Sequence, residues 1–306
     1  MGAFIIRRLL HGIVIVMGVT IVVFVATRMV GDPMRMMLPI DASEEQASTL
    51  RRQLGLDKPI PAQFVDFVGS LTKGNFGESL WQRRPAGEIV RERTPNTLKL
   101  VFLSMVVAVF LAIPLGALAA LKPGRGSDHV TVVLSLIGLS VPQFWLGLVL
   151  IVVFSVELGW LPTSGSDTPW HLILPALTLA LPTVGRLAMI VRSSMVDELN
   201  QPYTKTAVAK GMPLRRVVGV HALRNAAIPA TTMVGWELIR ALAGYSVVVE
   251  VVFAWPGLGQ LAMQAIQRHD VVLLQAVVFT IAIMVVLVNL TMDLLYKWID
   301  PRISFA

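Results

Sequence analysis

Two ionisable residues interrupt an otherwise apolar run from about Ala226 to Phe253: Glu237 and Arg240. Three residues apart, they share one face of a helix. If that helix crosses a membrane, the pair costs several kcal/mol against lipid, so it must face a bundle interior, a neighbour or a water-filled path. Such a pair could line the route of a solute carrying both charges, or neutralise itself and fix helix packing. A second concentration of chemistry is Tyr203 to Pro229, YTKTAVAKGMPLRRVVGVHALRNAAIP, where Lys205, Lys210, Arg215, Arg216 and Arg224 stand with no acidic residue among them. Gly211-Met212-Pro213 divides this stretch into two short helices, because glycine is a poor helix former and proline lacks a backbone donor. It has too little apolar area for a core of its own, which suits a segment that docks onto something else.

Other chemistry is hard to place. The 306 residues contain no cysteine, which removes disulfides, thiolate metal sites and cysteine nucleophiles. No Gly-Lys dipeptide occurs, so no phosphate loop of the Walker type exists. Gly257-x-Gly259-x-x-Ala262 matches a dinucleotide fingerprint only in letters, since it follows an apolar run rather than a strand. His11, His129, His171, His221 and His269 stand singly near the borders of apolar runs, and no paired metal-ligand spacing appears. Neither an enzyme active site nor a resident cofactor is expected.

The elements that must position these residues are membrane helices. Apolar residues make up 55% of the chain and charged ones 15%, with a mean hydropathy of +0.71; no soluble core needs so much apolar sequence. The net charge of +7 is gathered at the ends of apolar runs, which points to headgroups and topology rather than nucleic acid. Six runs are long enough to span: 9–27, 100–121, 130–156, 172–191, 226–253 and 271–292. Pro142 suggests a kink in the third, and Arg186, near the inner end of the fourth, could snorkel to headgroups. Between the first two runs lies a polar segment with short helices: a capping box at Ser43 to Gln46 running to about Leu54, a helix over Pro61–Leu71, and a third from Arg84-Pro85 to near Arg93. These bounds divide the chain into 1–30, 31–97 and 98–306, with the basic loop at 193–225.

Six spans put both termini on one side. That side holds Arg7, Arg8, Lys122, Arg125, Arg192, Lys205, Lys210, Arg215, Arg216, Arg224, Lys297 and Arg302, whereas the two short loops opposite hold Arg268 alone. The asymmetry places the termini and the basic loop in the cytoplasm. Residues 31–97 then lie outside, although they are basic.

Within the basic loop, Ala207, Lys210-Gly211 and then His221-Ala222-Leu223-Arg224-Asn225 with Pro229 resemble the EAA loop of ABC-importer permeases. YTKTAVAKG followed by HALRNAAIP is similar to the dipeptide, oligopeptide, nickel and glutathione branch, with Lys205 where the general pattern opens on an acidic residue. Gly31-Asp32-Pro33, LGLDKPIPAQF, GNFGES, Trp255-Pro256-Gly257-Leu258-Gly259 and Asp300-Pro301-Arg302 follow in the family's order, so the resemblance spans nearly the whole chain. It implies an all-α type I importer permease with six transmembrane helices and a small helical external domain, in a bacterial cytoplasmic membrane. It further implies that Thr206, Ala207, Lys210, Gly211, Met212, Pro213, Leu214 and Arg215 form the segment that couples to an ATPase. The implied partners are a second homologous permease, two ATP-binding subunits carrying ATP and Mg, and a periplasmic or lipid-anchored solute-binding protein. Glu237 and Arg240 are translocation-path candidates outside the family's usual pattern, and Glu250 matches its acidic position before WPGLG. A secondary transporter or channel is the rival reading. It would more naturally show an internal repeat or coupling carboxylates in several spans, and neither is found.

Overall fold

A computed structural model describes residues 2–30, 48 and 57–299. Among these, the ordered structure is helical apart from one isolated bridge, Glu78 to Pro85. The capping box expected at Ser43 to Gln46 lies outside the described residues. Five helices are long and apolar enough to cross a membrane: Ile6–Ala26, Ala86–Leu121, Pro169–Leu199, Leu214–Val252 and Val271–Lys297. A sixth span comes from a bent pair, Gly126–Ser140 with Gln143–Glu157. Counting that bent pair as one span gives the six expected.

By its contacts the chain divides into two compact units, Met1–Asn96 with Pro256–Val286, and Thr97–Trp255 with Leu287–Ala306. In the first, α1 (Gly2–Val30) brings Phe24 against Phe64 and Phe67 of α2 (Ile60–Thr72), with ring centroids 5.3 and 5.7 Å apart. The face of α2 that carries Phe64, Phe67 and Leu71 is the one that packs: Leu71 is buried, and Val65, off that face, is exposed. After α2, Asp270 organises the loop. It accepts Ser79 Oγ at 2.5 Å and the Trp81 N–H at 3.1 Å, and caps α12 (Val271–Ile299) through the Leu273 N–H at 3.0 Å. Before it, α11 (Leu258–Gln267) buries Leu258, Leu261 and Ala265.

The second unit is built on α6 (Ile173–Leu199), which packs against α4 (Gly126–Ser140), α5 (Gln143–Leu150) and α9 (Leu223–Arg240). Its core is dominated by small side chains, among them Ala108, Ala112, Ala180, Ala188, Ala226 and Ala230. Small residues let helix backbones approach where no hydrophobic effect drives them together. At Gly116 a Cβ would stand 2.6 Å from the Ala188 carbonyl oxygen, and at Gly185 2.9 Å from that of Ser135. No larger residue fits either crossing without moving a helix.

Two expectations change, and a third is sharpened. The short helix expected to end near Arg93 and the second span are one helix, α3 (Ala86–Leu121), which runs through Pro95. At 1.5 Å per residue it is about 54 Å long, well beyond a hydrocarbon core of roughly 30 Å, so its charged first turns project past the membrane. The third run carries the kink expected at Pro142, and the bend is sharp enough to divide it into two helices. Val141, extended as a residue before proline tends to be, ends α4; Pro142 starts α5, and the two halves meet at 104°. The second short helix of the basic loop, finally, does not stop before the fifth span. From α8 (Leu214–Arg216) the chain stays helical through a π-helical stretch (Val217–Ala222) and α9; a second such stretch (Ala241–Tyr245) kinks at Gly244, whose φ of 179° and ψ of -28° are not helical, and leads into α10 (Ser246–Val252).

Candidate coupling segment and intramembrane charge cluster

The basic segment opens with α7 (Pro202–Ala209), whose first residue is proline, where a missing N–H costs nothing. Its end is a Schellman turn: Gly211 N–H donates to Val208 O at 2.9 Å, and Met212 N–H to Ala207 O at 3.2 Å. That turn needs a left-handed residue, and Gly211 supplies it at φ +79°. Pro213 then sets the start of α8, with its carbonyl accepting the Arg216 and Val217 N–H groups. The helix–glycine–helix read from the sequence is present.

Seven of the eight residues expected to couple to an ATPase are at the surface. Thr206, Lys210, Gly211, Pro213, Leu214 and Arg215 are exposed and Met212 is half-buried, while Ala207 turns inward with Thr204. Leu214 among them is 57% exposed and Val208 beside them 53%, so apolar side chains stand among Lys205, Lys210, Arg215 and Arg216. The inward face rests on the π-helical stretch after α8 and on the end of α6.

Glu198, at the end of α6, ties this segment to the spans. Its carboxylate accepts the Tyr203 hydroxyl and Asn225 Nδ2, the latter at 3.2 Å, and its carbonyl accepts Thr204 Oγ1 at 2.8 Å. Asn225 Nδ2 also donates to the Tyr203 oxygen at 3.0 Å. One carboxylate thus joins α6, α7 and α9. Burial, and after it the Glu198 hydrogen bond, push the Tyr203 phenol above its ordinary range, so it stays protonated as a donor. A second anchor lies six residues earlier on α6, at Arg192. Asp128 is held by both Arg192 Nε and Nη2, the latter at 2.6 Å, and accepts the Gly124 N–H at 2.7 Å. Neither carboxylate stood out in the sequence, because each lies at a helix end among other polar residues.

Glu237 and Arg240 do share a helix face, but their principal partners are others. Glu237 is buried, and Arg186 of α6 holds both its oxygens, Nε at 2.6 Å and Nη2 at 2.7 Å, while Thr183 Oγ1 donates at 3.0 Å. Arg240 Nη1 stands 3.7 Å from the same carboxylate, and its Nη2 donates to the Tyr245 hydroxyl. Arg186 therefore does not snorkel. Its side chain is 18% exposed and turned into the bundle, because a buried carboxylate demands a bidentate donor more than a guanidinium demands headgroups. Periodicity could not pair residues 51 positions apart; the signal was a lone arginine within an apolar run. Glu250, fully buried, accepts Thr97 Oγ1 at 2.7 Å, in keeping with a structural role. Among the described residues, no group of three or more His, Asp or Glu is arranged to hold a metal ion.

The chain as a whole is similar to known proteins. Residues 112–305 match the family described as binding-protein-dependent transport system inner membrane component, and residues 1–101 match the family's N-terminal model. The oligopeptide transport system permease protein AppB of Bacillus subtilis (strain 168) is 40% identical over 317 residues, covering 100% of both chains. The glutathione transport system permease protein GsiC of Escherichia coli (strain K12) is 40% identical over 303 residues, covering 99% of each. An amino acid ABC transporter crystallised with histidines shares the fold, with a TM-score of 0.52 at 19% identity over 71% of this chain and 94% of that one. The chain belongs to the family of binding-protein-dependent transport system inner membrane components and is a multi-pass permease subunit of an ABC importer.

Proposed function

We propose that this chain forms half of a translocation pore whose other half is a second, homologous permease. In this reading two ATP-binding subunits drive the pore from the cytoplasm, and a periplasmic or lipid-anchored solute-binding protein feeds it from outside. ATP and Mg reside on the ATPase subunits, and this chain performs no catalysis. Both termini and the basic segment are cytoplasmic, whereas residues 31–97 are external. The solute is a peptide or a related small molecule, as the oligopeptide and glutathione systems of the relatives suggest.

The observation that carries this reading is the surface of α7 and α8. A Gly211-centred turn presents lysines and arginines around two exposed apolar side chains, Val208 and Leu214. An apolar centre with a charged rim is how a protein docking surface is composed. Because Glu198 fastens that surface to α6 and α9, movement of a docked ATPase would be delivered to the spans rather than absorbed by a loose loop.

Purification of the tagged chain from its host in mild detergent, followed by mass spectrometry, tests the proposal. Recovery of one or two ATPases and a second six-span permease supports it. Isolation of this chain alone, under conditions that hold other ABC importers together, would contradict it.

A further inference from the structure

The face of α9 left uncovered by its own chain carries Thr232, Trp236 and Arg240, spaced by four and so aligned along one side of the helix. Trp236 is 62% exposed, and the Arg240 side chain 42%. The helical stretch holding them, Leu214–Val252, is the least apolar of the five long enough to cross a membrane. A guanidinium there is costly against lipid and belongs in a water-filled path or a protein contact.

The charge of Arg240 is also in excess. Arg186 and Arg240 bring two positive charges to one carboxylate, and Arg186 already engages both oxygens of Glu237. The cluster therefore carries a net positive charge, located on the outer of the two arginines. Arg240 donates to the Tyr245 hydroxyl, and its Cζ lies 5.0 Å from that ring's centroid. Because the phenolic oxygen accepts, its own proton remains available to donate. A guanidinium beside a phenol O–H is a pair of donors matched to a carboxylate.

We infer that Arg240 and Tyr245 bind the carboxylate of the solute as it passes. This rests on the peptide-type reading of the solute above, since a linear peptide ends in a carboxylate. Arg186–Glu237 sets the strength of the site: with the inner arginine neutralised, a single positive charge faces the path, which favours entry of an anion without trapping it.

The test uses the complete importer with its binding protein in proteoliposomes. Uptake of a dipeptide and of the same dipeptide as its C-terminal amide is compared, each at a concentration that saturates the binding protein. The binding protein's own preference then cancels when variants are compared with wild type. Arg240→Gln is expected to lower uptake of the acid about tenfold, the loss of one charged hydrogen bond, while the amide changes less than about twofold. Arg240→Lys should restore most of the acid uptake, and Tyr245→Phe should lower the acid selectively but less. Equal loss of acid and amide in Arg240→Gln, or no loss of either, would overturn the assignment and leave Arg240 as a contact to the second permease. If Arg240→Gln does not assemble, Tyr245→Phe gives the same comparison, and an unchanged acid-to-amide ratio there overturns the assignment too. A wild-type importer that carries neither compound refutes the peptide-type reading, and with it this ligand.

Discussion

Arg186 lays its guanidinium across both oxygens of Glu237, at 2.6 and 2.7 Å, and so joins α6 to α9 within the bundle. Both residues sit in helices long enough to cross a membrane. The pair is a stake as well as a bond, because loss of Arg186 leaves the buried carboxylate with only the longer 3.7 Å contact to Arg240, and loss of Glu237 leaves two arginines without their carboxylate.

Removing Arg186 is therefore expected to cost more than removing the pair. Arg186→Ala should destabilise the protein by about 3–5 kcal/mol, while Arg186→Met with Glu237→Leu should come within about 2 kcal/mol of wild type. Thermal unfolding of the purified protein in one detergent checks the order. A single variant that melts with the wild type would mean that Glu237 is not committed to Arg186.

Gly211 tests the turn rather than the charge. A Cβ there meets nothing within 4 Å, but the backbone lies at φ +79°. Strain, not crowding, should thus govern substitution: Gly211→Asn, tolerant of left-handed backbone, should retain ATPase association, whereas Gly211→Val should lose it with a local cost of about 1–3 kcal/mol. Pull-down of the ATPase with each variant distinguishes the two. Equal recovery would show that the turn is not needed for docking.

Tyr203→Phe removes the hydroxyl that Glu198 accepts and leaves Lys205, Val208 and Lys210 of the exposed surface in place. The ATPase should still bind, while transport per ATP hydrolysed falls by about threefold to tenfold, as for a hydrogen bond worth roughly 0.5–1.5 kcal/mol. The Tyr203 pKa is raised on folding, so its contribution is complete below the unfolded value near 10 and is lost as pH rises through the higher folded value. Coupling through this contact should therefore not vary between about pH 6 and 9. Coupling that tracks pH in that window would assign the link to another group.

How much of this was legible in the sequence follows from distance along the chain. The Gly211 turn, the face of α2 and the six apolar runs are local, written in residues a few positions apart, and each was readable. The pairing of Glu237 with Arg186 was not, because 51 residues separate them and only the packing of α6 on α9 brings them together. Arg240, three residues away, looked like the natural partner by spacing alone. Pro95 and Pro142 carry opposite lessons: the first is absorbed into a helix of 36 residues, the second divides its run at 104°. Proline marks where a helix can break; packing decides whether it does.

Close helix contact is testable by size. Gly116→Val would drive a side chain into the Ala188 carbonyl and Val191, and overpacking of this kind costs about 1–3 kcal/mol or more. A fall in yield and unfolding temperature is expected, with Gly116→Ala intermediate. No change on Gly116→Val would mean that α3 and α6 separate at that point.

The central claim is that the exposed surface of α7 and α8 meets the ATPase. The chain has no cysteine, so single-cysteine variants report one position each. In membranes containing the whole importer, Leu214→Cys should cross-link to the ATP-binding subunit through a short bifunctional thiol–amine reagent. Ser166→Cys, exposed in the loop before α6, should not. A product at Leu214→Cys whose yield changes with bound ATP is the expected result. Its absence there, or an equal yield at Ser166→Cys, would contradict the account.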